Sequence, residues 1–129
     1  MTKRIRNTEE FYAELKSIDS EVKKLKIWDD YEKGERGFIG SFVMGDLAKL
    51  VVNWVLRDEI TKIEDLFIFL ENSYSEFEYG ANSYLYTDFY PEIISLENKE
   101  VRELLKNKLG SQSRKLYDQL ISFGFYAEL

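Results

Sequence analysis

Carboxylates and tyrosines are the side chains of this chain whose types and spacing could carry chemistry. The sequence has no histidine and no cysteine. Histidine is the usual proton-transfer group near neutral pH and the commonest metal ligand. The absence of histidine and cysteine excludes Ser-His-Asp and Cys-His catalysis, and it also excludes zinc sites built on imidazole or thiolate. Carboxylate, lysine or tyrosine chemistry remains, as does a metal bound by oxygen atoms alone.

The carboxylates are concentrated in one segment, 58–97. The whole chain has a net charge of −6, whereas this segment holds ten acids and a single base, Lys62. Acidic side chains steer a basic partner toward a surface and tyrosine rings supply rigid contact area, so the segment predicts a binding surface for a basic protein. Its acids are Asp58, Glu59, Glu64, Asp65, Glu71, Glu76, Glu78, Asp88, Glu92 and Glu97, and its tyrosines are Tyr74, Tyr79, Tyr84, Tyr86 and Tyr90.

The predicted contact surface follows from helical spacing. Glu64, Glu71 and Glu78 are seven residues apart, which places them on one face of a continuous helix. Tyr74 and Ile68 lie at the margin of that face. The full predicted set is Glu64, Ile68, Glu71, Tyr74, Glu78, Tyr79, Tyr84, Tyr86, Asp88, Asp29 and Asp30. The alternative is a solvated acidic face whose tyrosines are half-buried and have no partner.

Other uses of the charged residues fit the sequence less well. Paired carboxylates that hydrolyse glycosides must face each other across a cleft, whereas these acids are expected on outward helix faces. The stretch WDDYEKGERG lacks the spacing of an EF-hand loop, and no glycine-rich phosphate loop is present. The lysines at 23, 24 and 26 suit a helix C-terminus better than a nucleic-acid stripe. We therefore predict no catalysis, no cofactor, no metal and no nucleic acid.

Two apolar runs within 38–70 must position this surface. Their apolar residues recur at helical spacing and are separated by the polar break 57–59, which predicts a central αα-hairpin. The second helix of the chain should cover about 41–57. The residues of the two stripes are Ile39, Val43, Leu47, Leu50, Trp54, Ile63, Leu66, Phe67 and Leu70.

The termini of the flanking helices are predicted from capping residues. Asn7 or Thr8 caps a first helix that runs to about Leu25, and residues 27–37 form a loop. Thr61 begins a capping box for the third helix, which reaches about Tyr79.

Further along, Gly80 sits at the C-terminal glycine position, and Pro91 either starts a short helix or kinks an existing one. A helix is expected over 99–109, and Ser111 or Ser113 begins the last one.

These elements predict one all-α domain spanning 1–129. About five to seven helices should pack as an irregular bundle or as HEAT-like helix pairs. Asp46 and Lys49 interrupt the longest apolar run, so no membrane span is expected. The N-terminus lacks the apolar centre of a secretory signal, and a cytoplasmic location is therefore expected.

The run MGDLA at 44–48 in an apolar helix, followed by a capped acidic helix and an aromatic-acid segment, resembles part of the small all-helical bacterial immunity proteins of polymorphic-toxin and contact-dependent growth inhibition systems. The resemblance covers about the middle half of the chain. It implies a cytoplasmic, non-enzymatic inhibitor that binds a cognate basic toxin domain, often a nuclease, and blocks its active site; no functional residue carries over by motif. The alternative is a helical adaptor or self-associating structural protein, and the chain is expected to be a monomer or a weak homodimer.

Overall fold

The computed structural model describes residues 4–32 and 36–123, with side chains described at 4–29 and 40–123. Within these ranges the regular elements are all helical, which confirms the predicted all-α, single-domain fold. They are α1 (Thr8–Ser17), α2 (Ser20–Lys23), α3 (Ile27–Glu32), α4 (Arg36–Leu56), α5 (Ile60–Glu76), α6 (Tyr79–Tyr84), the π-helical turn Leu85–Phe89, α7 (Tyr90–Ile94), α8 (Lys99–Lys108) and α9 (Ser111–Ser122). Five of them have ten or more residues, and α6, the π-helical turn and α7 form one further continuous run.

The predicted central hairpin is α4 and α5, which pack against each other across a three-residue connection. Asp58 in that connection has a positive φ of 58°, a conformation that Asp tolerates better than most residues. The two predicted stripes face the core: Leu47 and Trp54 of α4 and Ile63 of α5 are fully buried. The side chain of Ile39 lies outside the described residues.

The first helix is shorter than predicted. Asn7 caps α1 in a reciprocal capping box with Glu10, as expected. The helix ends at Ser17 because Asp19 adopts an extended backbone and its carboxylate accepts a 2.8 Å hydrogen bond from the N–H of Glu21. This local bond begins the separate helix α2, so the single helix predicted to Leu25 is wrong.

The predicted loop 27–37 is also wrong in its described part. Residues Ile27–Glu32 form α3, and α4 begins at Arg36 rather than near residue 41. Trp28 is buried, and its indole N–H donates to the carbonyl of Val22 at 2.7 Å, which holds α3 on α2. The predicted loop glycine Gly34 lies outside the described residues.

The start of α5 differs from the prediction by a residue or two. The helix begins at Ile60 after Glu59, which makes no side-chain cap bond, so the capping box at Thr61 is wrong. The C-terminal end of α5 is set by backbone hydrogen bonds to the N-terminal segment. The N–H of Arg6 donates to the carbonyl of Glu76 at 2.9 Å, and the N–H of Glu78 donates to Arg6 at 2.8 Å.

These two bonds pair Arg6 with the extended Phe77, and the Arg6 guanidinium lies 4.5 Å from the centre of the Phe77 ring. The chain therefore leaves the helix at Phe77. Gly80 lies inside α6 and is not a C-terminal glycine.

Pro91 is the second residue of α7, the helix that directly follows the π-helical turn. Proline has no N–H to donate to the carbonyl four residues earlier, and its ring crowds that carbonyl. The preceding turn is wider, so that the N–H of Tyr90 donates to Leu85, five residues back. The helical run continues through the proline in this way.

One cluster of buried residues joins the helices. Phe11 of α1 stacks on Phe69 of α5 and meets the edge of Phe77, each with ring centres 5.3 Å apart. At the other end of the chain, α8 follows the prediction within one residue and is capped by Asn98. Helix α9 begins at Ser111, one of the two predicted starts, and buries Tyr117 and Leu120.

Candidate functional site: a tyrosine-lined groove

Three of the predicted tyrosines, Tyr74, Tyr79 and Tyr86, line one open cavity of about 400 Å³. We call it the tyrosine groove. It lies between the end of α5, the run that begins with α6, and α9. Its lining residues are Tyr74, Phe77, Tyr79, Asn82, Ser83, Tyr86, Gln112, Leu116 and Gln119.

The α9 wall of the groove comes from one helical face. Gln112, Leu116 and Gln119 follow each other at steps of four and three residues, the spacing that aligns side chains on a helix. Sequence reasoning missed this wall. The spacing was visible in the sequence, but nothing local showed that this face turns toward tyrosines more than 25 residues away.

The opposite wall combines fixed and exposed groups. Asn82 is buried, and its amide donates to the carbonyl of Ser73 at 3.0 Å, so its orientation is set by the end of α5. Tyr79 is 81% exposed at the mouth of the groove, whereas Tyr74 and Tyr86 are half-buried. The groove thus presents one solvent-exposed aromatic ring, that of Tyr79, beside a wall in which a hydrogen bond holds Asn82 in place.

Tyr74 is tied to the interior. Its hydroxyl hydrogen-bonds to the hydroxyl of Tyr90, which is fully buried. Burial raises the pKa of Tyr74. Burial, reinforced by the negative charge that Tyr74 would carry, also raises the pKa of Tyr90. Both phenols therefore stay protonated at neutral pH and act as hydrogen-bonding groups.

The predicted acidic face is wrong because Glu78 is not on α5. It precedes α6, and its carboxylate accepts hydrogen bonds from the N–H of Thr8 at 2.7 Å and from the Thr8 hydroxyl at 2.8 Å. These bonds lower the pKa of Glu78 and satisfy the first turn of α1. Glu78 therefore holds the N-terminal helix in place.

Glu71 is likewise used inside the fold. Its carboxylate accepts hydrogen bonds from the backbone N–H groups of Gln112 at 2.8 Å and Ser113 at 2.9 Å, which begin α9. Burial by itself raises the pKa of Glu71, but these hydrogen bonds outweigh it and lower the pKa. Since Gly110 caps α9 without a side chain, Glu71 supplies the missing cap.

The remaining predicted residues do not converge on the groove. Glu64 pairs with Lys108 at 3.0 Å, and Ile68 is 60% exposed on the outer side of α5. Asp88 accepts a 2.5 Å hydrogen bond from the hydroxyl of Ser41 on α4. Tyr84 packs beside Gly40, where a β-carbon would lie 2.5 Å from its ring.

The last two predicted residues, Asp29 and Asp30, come from the segment 27–37. Asp29 is exposed on α3. The side chain of Asp30 lies outside the described residues.

The chemistry of the groove follows from its lining. The lining residues are aromatic, amide, hydroxyl or aliphatic, and none of them carries a formal charge at neutral pH. Such a surface makes aromatic contacts and accepts or donates hydrogen bonds. Among the described residues no group of three or more acidic side chains is arranged to hold a metal ion. No helix in the described ranges combines the length and apolar character needed to cross a bilayer.

Comparison of the chain with models of protein families, with curated proteins and with solved structures found no match.

Proposed function

We propose that this chain is a non-enzymatic, cytoplasmic protein-binding inhibitor of the immunity-protein type, which neutralises a basic, nuclease-type toxin domain. The observation that carries the proposal is the convergence of Tyr74, Tyr79 and Tyr86 on one groove within the acidic segment. Tyrosine is among the side chains that dominate binding energy at protein interfaces, because its ring is large and rigid and its hydroxyl can find a partner.

The acids of the segment supply the second part of the argument. Glu71 and Glu78 are engaged in capping, but Asp65, Glu92 and Glu97 are exposed and form no ion pair within the described part of the chain. Exposed acids of one sign accelerate encounter with a basic partner and exclude acidic ones. The tyrosines of the groove therefore contact the partner, and the exposed acids of the segment 58–97 steer the partner toward the surface.

The experiment begins with purification of the tagged chain from its native cells, with elution by salt. We expect a basic protein in stoichiometric amount. That protein should be toxic when expressed alone and harmless when expressed with this chain. Recovery of no such protein, or toxicity that the chain leaves unchanged, would contradict the proposal and favour an adaptor or structural role.

The groove is then tested with paired variants. Tyr79→Ala should weaken binding to that protein by at least about tenfold, since a central aromatic contact contributes more than 1.4 kcal/mol. Ile121→Ala on α9 is the matched control, because Ile121 is also exposed but does not line the groove. Equal affinities for both variants would place the binding surface elsewhere.

Steering is tested separately by Asp65→Lys. The substitution should slow association at low salt and leave dissociation nearly unchanged, and added salt should remove the difference. Asp65 is the suitable residue because reversal of Glu71 or Glu78 would remove a helix cap as well as a charge.

A further inference from the structure

The tyrosine groove carries polar groups that the fold itself does not use. Within the described part of the chain, the hydroxyls of Tyr79 and Tyr86 and the side-chain amides of Gln112 and Gln119 make no hydrogen bond. All four side chains line the groove, and none of them carries a formal charge at neutral pH. A ligand that fits is therefore neutral where it touches these groups, and it offers hydrogen-bonding partners to phenols and amides.

The two walls of the groove repeat their polar groups over the same distance. Gln112 and Gln119 lie seven residues apart on α9, which separates them by about 10 Å along the helix axis. Leu116 lies between them and gives an apolar surface. On the opposite wall, Tyr79 and Tyr86 are also seven residues apart. The groove thus offers polar groups at two levels, with apolar contact between the levels.

A polyproline II helix has the repeat and the chemistry that these walls require. It has three residues per turn and advances about 9 Å per turn, so carbonyl groups one turn apart match the spacing of the two glutamine amides. Its carbonyls make no internal hydrogen bonds and are free to accept from side chains. Proline has no backbone N–H that would need an acceptor, and its ring packs on aromatic side chains.

Other peptide conformations fit the polar lining less well. An α-helical segment satisfies its own carbonyls and binds through an apolar face, which would bury the amides of Gln112 and Gln119 without partners. An added β-strand needs the edge of a sheet. The described residues form no sheet, and their only extended pairing is the isolated bridge between Arg6 and Phe77.

We propose that the tyrosine groove binds a proline-rich segment in the polyproline II conformation. The ring of Tyr79, which is 81% exposed, packs against the proline rings. The amides of Gln112 and Gln119 donate to carbonyls one turn apart. In the proposed complex the segment belongs to the partner, so this inference rests on the proposed function for the identity of that partner. The basic residues of the partner meet the exposed acids outside the groove.

A titration of the full chain with a decaproline peptide, blocked at both ends, tests the inference without the partner. In NMR spectra, the amide signals that shift should be those of 79–86 and 112–119 and of residues in contact with them. A Gly-Ser peptide of equal length is a flexible coil and should shift none of them. Absence of shifts with decaproline up to millimolar concentration would overturn the inference.

Two opposite exchanges on α9 then test the role of the amides. Gln119→Leu keeps the size of the side chain and should weaken decaproline binding by about three- to tenfold, the contribution of one hydrogen bond between neutral groups. Ile121→Gln is the reverse exchange at an exposed position that does not line the groove, and it should leave the affinity unchanged. Circular dichroism shows whether both variants keep their helix content. Unchanged or tighter binding by a folded Gln119→Leu variant would overturn the inference, because an apolar ligand surface gains from leucine.

This inference and the proposed function can fail separately. If decaproline does not bind but the chain still co-purifies with a toxic basic protein and neutralises it, the inhibitor role stands and the polyproline ligand is wrong. If decaproline binds in the groove but no toxic partner is recovered, the ligand chemistry stands and the inhibitor role is wrong.

Discussion

The backbone N–H of Ser113 donates a 2.9 Å hydrogen bond to the carboxylate of Glu71, 42 residues earlier in the chain. A side chain in the middle of α5 thus caps the start of α9, a helix whose own N-cap residue is the glycine Gly110. The same contact determines one wall of the tyrosine groove, because Gln112 also donates to Glu71. Folding of α9 and formation of the groove are therefore coupled through one carboxylate.

Glu71→Gln should lower the free energy of unfolding by about 1 to 2 kcal/mol, because it weakens a charged helix cap. Glu64→Gln is the matched control on the same helix. It removes an exposed ion pair with Lys108 and should cost about 0.5 kcal/mol or less. Urea unfolding of both variants measures the difference, and equal costs would show that Glu71 does not act as a cap.

Gly110→Ala should destabilise the chain by about 1 kcal/mol, since its β-carbon would lie 2.5 Å from the Glu71 side chain and displace it. The backbone of Gly110, with φ of −70°, accepts alanine without strain. In a Glu71→Ala background the same substitution should therefore cost little. A double-mutant cycle with a coupling near zero would contradict this mechanism.

Gly45→Ala should stabilise the monomer by about 0.5 to 1 kcal/mol, because alanine is the better helix former and the site is open. Unfolding is measured at low micromolar concentration, where a weak dimer does not contribute. A loss of stability would mean that the outer side of α4 is more crowded than the described residues show.

Acid should destabilise the chain through Glu21. This carboxylate accepts hydrogen bonds from Arg57 at 2.7 Å and from Lys62 at 2.9 Å, and these bonds lower the pKa of Glu21 to about 2. A carboxylate with a lowered folded pKa stabilises above its ordinary pKa of about 4.5 and loses that effect as pH falls toward about 2.

Urea unfolding as a function of pH tests this. Glu21→Gln should be less stable than the wild type at pH 7, and the gap should close in the acid range. A constant gap would show that Glu21 stabilises by packing alone.

Alkali should destabilise the chain through buried tyrosines. Burial raises the pKa of Tyr117 to about 12, and it raises the pKa of Tyr90 as well. The unfolded chain releases these protons near pH 10, whereas the folded chain retains them, so stability is full below about pH 10 and falls above it. Tyr117→Phe should make the fall shallower. Denaturant unfolding at increasing pH measures the slope, and an unchanged slope would contradict the assignment.

Local pattern was sufficient for the central hairpin and for the cap of the first helix. The 3.6-residue spacing of Leu47, Trp54 and Ile63 reports which side of each helix is apolar, and that side is buried wherever the chain folds. Asn7 caps α1 through a bond to Glu10, three residues away, so this cap is readable from the sequence. The all-α class follows from the same short-range information.

Local pattern failed where distant backbone intervened. The spacing of Glu64, Glu71 and Glu78 indicates a single face only if the helix is continuous, but the bonds from Arg6 end α5 at Glu76. The missed end of α1 at Ser17 has a local cause instead, since it depended on whether Asp19 would cap a new helix or stay within the old one. Both outcomes are compatible with the same apolar stripe.

The sequence by itself determined the all-α class, the apolar faces of the central hairpin and the acidic, tyrosine-rich composition of 58–97, because these properties depend on neighbours within a few residues. Only the tertiary structure decided which acids cap helices and which remain exposed. Only the tertiary structure brought Tyr74, Tyr79 and Tyr86 together with the polar face of α9. A groove is a relation between helix surfaces far apart in the chain, and its contacts are chosen by the packing of the whole core.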